Sequence, residues 1–199
     1  MIYSVLDFET TGFGPKESRI LEVGIWKMES DGTMIDHFET LVNPGQHVGA
    51  VHVHGITSDM VAKAPRFGDI ADILLEFLDG SVIAAHNAAF DIPFLAEELK
   101  RAGMHYDLIP SICTLQLSRK HILGRRSYSL ENLCRDLRIE NDLAHSALSD
   151  AKATAQLLLH LIGNYAIEQT LEESVLFRNN YRSMSFSFFT SLLTRNELL

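Results

Sequence analysis

Three short segments carry side chains whose types and spacing could do chemistry together. In Asp7-Phe8-Glu9 the carboxylates are two residues apart. On a strand such residues share one face, while Phe8 points to the other and can pack. They fall where an apolar run, Ile2 to Phe8, gives way to Thr10-Thr11-Gly12, a turn. Two adjacent carboxylates repel, so the arrangement is costly without a cation. Mg²⁺ or Mn²⁺, which favour carboxylate oxygen, would relieve it. A solvated pair at a strand end would show the same pattern. The second segment is His86-Asn87-Ala88-Ala89-Phe90-Asp91, where a buried strand runs into polar residues and a helix follows. Asp91 then lies at the helix N-terminus, facing the positive end of its dipole, a place an ordinary N-cap also takes. Asn87 fits either a backbone-orienting role or a contact to substrate. The third is His145-Ser146-Ala147-Leu148-Ser149-Asp150, with Asp150 in the first turn of a long helix and His145 just ahead of it. Imidazole titrates near neutrality and can take a proton from water. A surface histidine before a helix-start aspartate is the plain counterpart. Each segment alone is weak. Their weight lies in the combination of four acids and a histidine, delivered at strand ends and helix starts.

The elements that must position these groups follow from periodicity. Ile2 to Phe8, Ile20 to Met28 and Met34 to Val42 are strand candidates, and Ser30-Asp31-Gly32 turns the second into the third as a hairpin. Helical spacing runs over Phe67 to Leu78, ending before Gly80. Ser81 to Ala85 is a short apolar strand. Ile92 to Ala102 forms a helix with Pro93 in its first turn and Gly103 after its end. Ser129 caps a helix through Leu137, and Ala147 to Ile162 is a long amphipathic helix ending at Gly163. Antiparallel strands followed by alternating strands and helices give an α/β fold, a mixed sheet with helices on its faces.

The length of 199 residues suits one domain with an appended tail. No run of about 18 apolar residues suggests a membrane span. Tyr3, Ser4 and Asp7 interrupt any secretory signal, so the expected location is cytoplasmic. Cys113 and Cys134 are the two cysteines and cannot build a disulfide framework or a zinc cage. A metal here must therefore have oxygen ligands. The net charge of −9 argues against coating nucleic acid by electrostatics alone. It does not oppose an enzyme acting on a strand end, because bound cations offset nearby carboxylates.

In these motifs the chain resembles the DEDDh exonuclease family, which includes the proofreading (epsilon) subunit of bacterial DNA polymerase III and ribonuclease T. Asp7-Phe8-Glu9-Thr10-Thr11-Gly12, followed by Ile20-Leu21-Glu22-Val23-Gly24, matches the first family motif. Ala85 to Asp91 matches the second, and His145 with Asp150 the third; Val53-His54-Gly55-Ile56-Thr57 is also similar to the family. The resemblance covers residues 1 to about 163 and is specific because the motifs occur jointly. It implies a ribonuclease H-like fold and a 3′→5′ exonuclease using two divalent ions, Mg²⁺ or Mn²⁺. By position, Asp7, Glu9 and Asp150 would hold one metal, and Asp7 would also reach the second. Asp91 would complete the acidic site, His145 would act as base, and the product would be a nucleoside 5′-monophosphate. Thr10, Thr11, Gly12 and Phe13 would line the terminal-nucleotide pocket, with His54, Asn87 and Phe90 as further candidates. Phe13 fits base stacking and ordinary packing equally. It replaces a leucine frequent in relatives, and Cys113 stands before Thr114-Leu115 where many relatives have Asp.

The expected partner is the 3′ end of nucleic acid, single-stranded or frayed, with DNA favoured over RNA. An RNA-trimming enzyme of the same fold, a small-nucleotide phosphodiesterase and a catalytically inactive end-binding or polymerase adaptor are the competing readings. Arg119, Lys120, Arg125 and Arg126, with His121 and Tyr128 nearby, form the densest basic stretch. It suits phosphates of the entering strand or a solvated loop. Residues 164–199 form an aromatic-rich extension that either packs on the 1–163 domain or binds a polymerase subunit or a second copy.

Overall fold

The structure is a computed structural model, and it describes residues 1–104, 111–141 and 146–165. His145 and residues 166–199 lie outside the described residues, and with them the expectations for the base and for most of the tail.

Three long strands come first: β1 (Ile2–Thr10), β2 (Ile20–Glu29) and β3 (Met34–Leu41). Short helices α1 (Val51–His54) and α2 (Ser58–Val61) precede α3 (Phe67–Leu78) and β4 (Val82–Ala85). Then come α4 (Ala88–Arg101), β5 (Ser111–Cys113), α5 (Thr114–His121), α6 (Leu130–Leu137) and α7 (Ala147–Tyr165). The sheet order is β3-β2-β1-β4-β5. β1 pairs antiparallel with β2, β2 antiparallel with β3, and β1–β4 and β4–β5 are parallel. This is the mixed, ribonuclease H-like sheet flanked by helices that the sequence leads one to expect.

β1 is buried on both faces through Tyr3, Val5, Leu6 and Phe8, as a strand covered by helices on both sides must be. One core layer joins Leu6, Phe8 and Val23 to Phe67 and Leu74 of α3 and to Phe94, Leu95 and Leu99 of α4. The opposite layer joins Tyr3, Val5 and Met28 to Leu157, Leu158 and Leu161 of α7. Both cysteines are buried and free. No helix among the described residues is long and apolar enough to cross a membrane.

The α3 and α6 spans agree with their periodicity, and Ser129 accepts the Asn132 amide as the N-cap of α6. The larger departures lie in α4, α7 and the basic stretch. α4 starts at Ala88 rather than Ile92, because Asn87 adopts the left-handed conformation (φ 68) and turns the chain directly into the helix. Pro93 consequently sits beyond the first turn. α7 continues past Gly163 to Tyr165; a glycine weakens a helix by only about 1 kcal/mol and need not end it. The basic stretch is not all loop, since Arg119, Lys120 and His121 form the last turn of α5.

Candidate active site

The site forms where β1 runs out between an antiparallel and a parallel neighbour. Asp7 and Glu9 lie near the C-terminal end of β1, in register with Gly24 and Glu22 of β2. Parallel β4 ends alongside at Ala85, and the chain passes through His86-Asn87 into α4, whose first turn carries Asp91. The N-terminal end of α7 brings Asp150 over the same strand end.

Ligand oxygens of Asp7, Glu9 and Asp150 lie within 4.8 Å of one another. All three side chains are half-buried. Asp91 is 2% exposed, and of the charges Asp7 feels, that of Asp91 is the largest. Burial pushes the Asp7 carboxyl well above its usual range, and Asp91, Asp150, Glu9 and Glu22 push the same way. Glu9 is raised to about 7 by burial and then by Asp150 and Glu22. Asp91 is raised to about 8, chiefly by burial, although the backbone amides of Asp91 and Phe8 favour its charged form. Every charged neighbour that raises Asp7 and Glu9 is another acid. An all-oxygen cluster of mutually repelling carboxylates fits a hard divalent cation.

These shifts fix a sign. A carboxyl whose folded pKa is raised stabilises the fold fully below the ordinary carboxylate range, and that contribution is lost as pH rises through the folded value. For Glu9 and Asp91 the loss runs from about pH 4 to about 7 and 8. In chelator the protein should melt at a higher temperature at pH 5.5 than at pH 8.5, and Mn²⁺ should narrow the gap by stabilising the charged site. Equal melting temperatures in chelator at the two pH values would refute the buried-acid electrostatics.

Glu22 takes a part that the sequence does not announce. Its Oε2 accepts the Ala147 amide at 3.1 Å. A carboxylate from β2 thus caps the N-terminus of α7, the helix that carries Asp150. The backbones meet beside it. A Cβ on Gly24 would come within 2.1 Å of the Ala147 carbonyl carbon and 2.2 Å of the Leu148 amide nitrogen. Asn141 donates to Asp150 Oδ1 at 2.7 Å and accepts from the Ser149 hydroxyl at 3.0 Å, which orients Asp150. The run Ile20 to Gly24 contains both residues, but only strand register shows what Glu22 and Gly24 face.

The expected pocket residues are partly gathered. Thr10 Oγ1 donates to the Gly12 carbonyl at 2.7 Å, and Thr11 Oγ1 accepts from the Arg19 amide and from Gln46 Nε2. Arg19 closes this loop and forms a two-pronged pair with buried Glu98 of α4, at 2.6 and 2.9 Å. Phe13 stands 92% exposed on the loop, so packing does not account for it. Phe90 is half-buried against Phe94, with ring centroids 5.0 Å apart. Asn87 is exposed at the head of α4. His54 is buried in α1, its Nδ1 accepting the Ile56 amide at 3.0 Å.

An acidic cluster of this kind, at the end of the central strand of a ribonuclease H-like sheet, defines a nuclease of the DEDD type. The family described as RNase_T, exonuclease, matches residues 4–158. The chain is 36% identical over 168 residues to the DNA polymerase III subunit epsilon of Rickettsia typhi, covering 80% of this chain and 73% of that one. It is 37% identical over 163 residues to the PolC-type DNA polymerase III of Thermotoga petrophila, of which it spans only 12%. Among solved structures it resembles exonuclease X in complex with 5′ overhanging duplex DNA (TM-score 0.68, 23% identity, covering 87% of this chain and 99% of that one). It also resembles the nuclease domain of 3′hExo bound to rAMP (TM-score 0.71, 18% identity, covering 82% and 92%). The chain belongs to the RNase_T exonuclease family and has a DEDDh-type fold related to that of the epsilon chain of DNA polymerase III.

Proposed function

We propose that this enzyme removes nucleotides from the 3′ end of DNA, single-stranded or frayed, with two divalent ions and release of nucleoside 5′-monophosphates. The observation that carries the metal dependence is the trio Asp7, Glu9 and Asp150, whose ligand oxygens converge within 4.8 Å. The preference for DNA rests on the relatedness to DNA polymerase III proofreading chains. Residues 1–163 would form the catalytic domain and 164–199 an extension to it.

Asp7, Glu9 and Asp150 would hold one ion, with Asp7 shared to a second and Asp91 completing the site. When bound, such ions lower the pKa of the attacking water and stabilise the leaving oxygen. The protein's own groups do the rest. His145 accepts the water proton as oxygen bonds to phosphorus. The bond from phosphorus to the 3′ oxygen breaks and that oxygen takes a proton from solvent water, leaving a 3′-hydroxyl on the shortened strand and a 5′-monophosphate on the released nucleoside. The Thr10-Thr11-Gly12 turn, held shut by Arg19, seats the terminal nucleotide. Phe13, His54, Asn87 and Phe90 are assigned to the same pocket, with Phe13 free to stack on a base.

Digestion of end-labelled single-stranded DNA, duplex DNA with a mismatched 3′ end, and RNA of the same sequence tests this directly. With Mg²⁺ or Mn²⁺ the two DNA substrates should shorten stepwise from the 3′ end, faster than RNA, and chelator should stop them. Faster shortening of RNA would assign the enzyme to RNA trimming instead. A folded protein that cuts no strand in either metal would make it an end-binding adaptor.

A further inference from the structure

Beside the acidic cleft lies an open groove of about 520 Å³, between α5 and the chain leading into α6. Its lining includes His86 and Asn87, Arg119 and Arg126, and Leu115 and Tyr128. Its shape is fixed from within. His86 bonds through Nδ1 to Thr114 Oγ1 at 2.9 Å and through Nε2 to the Tyr128 carbonyl at 3.0 Å. An imidazole tautomer that donates to that carbonyl accepts from the threonine hydroxyl. Tyr128 in turn donates its hydroxyl to the Ile122 carbonyl at 2.7 Å. The end of β4, the start of α5 and the loop before α6 are thus tied together through one side chain.

The groove and the cleft adjoin. α4, which carries Asp91, starts one residue after Asn87. His86 feels the charges of both Asp150 and Arg119. The basic side chains of this stretch are not equivalent. Arg125 is bound to Asp136 at 2.6 Å. Arg119 and Arg126 are exposed and make no ion pair among the described residues. Two planar guanidinium forks therefore line an open groove that also holds Asn87, the residue directly before the helix that carries Asp91. Such forks suit phosphate oxygens. A strand whose scissile phosphate enters the acidic cleft must place its preceding phosphates nearby, where carboxylates would repel them.

We propose that this groove is the binding track for the phosphates immediately 5′ of the scissile one, with Arg119 and Arg126 each neutralising a phosphate and Asn87 donating at the cleft end. The proposal rests on the exonuclease reading and sharpens it: affinity for a long strand comes from two arginines, and Arg125 is not one of them.

The test compares an oligothymidylate with the thymidine dinucleotide whose sole phosphate is the scissile one. Wild type, Arg119→Ala, Arg126→Ala and Arg125→Ala are assayed across a salt series. For Arg119→Ala and Arg126→Ala the oligonucleotide-to-dinucleotide ratio of kcat/KM should fall about tenfold, through KM. The slope of log affinity against log salt should shrink by about 0.7 per arginine removed, the value for one single-strand phosphate contact. Arg125→Ala should match wild type. An unchanged ratio and slope in both variants, or the same loss in Arg125→Ala, would overturn the groove assignment. Oligothymidylate binding is also followed by fluorescence anisotropy in Ca²⁺, which separates the two readings. Strand binding that depends on Arg119 and Arg126 in a protein that cuts nothing in Mg²⁺ or Mn²⁺ would uphold the groove and refute the activity.

Discussion

Asp7→Asn should abolish strand shortening and, in the absence of metal, raise the melting temperature. The two halves of this result share one cause. Asp7 is the acid on which the site converges: Asp91, Asp150, Glu9 and Glu22 all raise its pKa, after burial itself. Its ligand oxygen lies within 4.8 Å of those offered by Glu9 and Asp150. Removing even a residue that only supports a metal ligand typically costs 10–100-fold in metal affinity or activity. Loss of a ligand assigned to both ions should therefore exceed about 100-fold. Asparagine keeps the shape and removes the charge. In chelator the variant should melt a few degrees higher, since about 1 kcal/mol moves a domain of this size by roughly 2–4 °C. The rise in melting temperature that Mn²⁺ gives the wild type should shrink or vanish. Activity within a few-fold of wild type would remove Asp7 from the metal site. A lower melting temperature in chelator would show that its charge is not a burden to the fold.

The second large effect should come from a residue with no side chain. Gly24 pairs with Asp7 across β1 and β2, and α7 presses on it so closely that a Cβ would meet backbone at 2.1 Å. No rotamer relieves a clash with backbone. Overpacking typically costs 1–3 kcal/mol and occasionally more. Gly24→Ala should lie at the upper end, about 3 kcal/mol, with a fall in melting temperature of roughly 10 °C. The strain should also lift the first turn of α7, and Asp150 with it. A misplacement of about 1 Å can cost 10²-fold, so activity should drop at temperatures where the variant is fully folded. Gly68→Ala is the control. Outside its own helix its Cβ would meet nothing nearer than the Ala102 methyl, at 4.0 Å, and alanine favours a helix over glycine by about 1 kcal/mol. That variant should melt no lower than wild type. A Gly24→Ala protein with wild-type melting and activity would show that α7 does not need this close approach.

These two residues also mark what the sequence discloses. Asp7 and Glu9 are legible only in combination: the pair alone also fits a solvated strand end, and it gains weight because Asp91 and Asp150 follow in helix first turns. The meander, α3, α6 and most of α7 follow from clean periodicity and caps. β5 and α5 do not. Ser111-Ile112-Cys113 is too short to show alternation, and the buried positions of α5 include Thr114 and Ser118, which hide its apolar face. The start of α4 depends on Asn87 taking a left-handed conformation, which few residues other than glycine adopt. The roles of Glu22 and Gly24 belong to register and helix docking, properties of the assembled sheet and not of any local run. The distinction between Arg125 and Arg126 likewise depends on where Asp136 falls in α6.

We propose that four carboxylates assemble a divalent metal centre for 3′-end hydrolysis. An anomalous difference map from crystals soaked in Mn²⁺ with a nucleoside 5′-monophosphate tests it most directly. Two peaks on the order of 4 Å apart, ligated by Asp7, Glu9 and Asp150 with Asp91 in direct or water-mediated contact, are the expected result. A map with no Mn²⁺ peak among these carboxylates, under conditions where the protein shortens DNA, would contradict it.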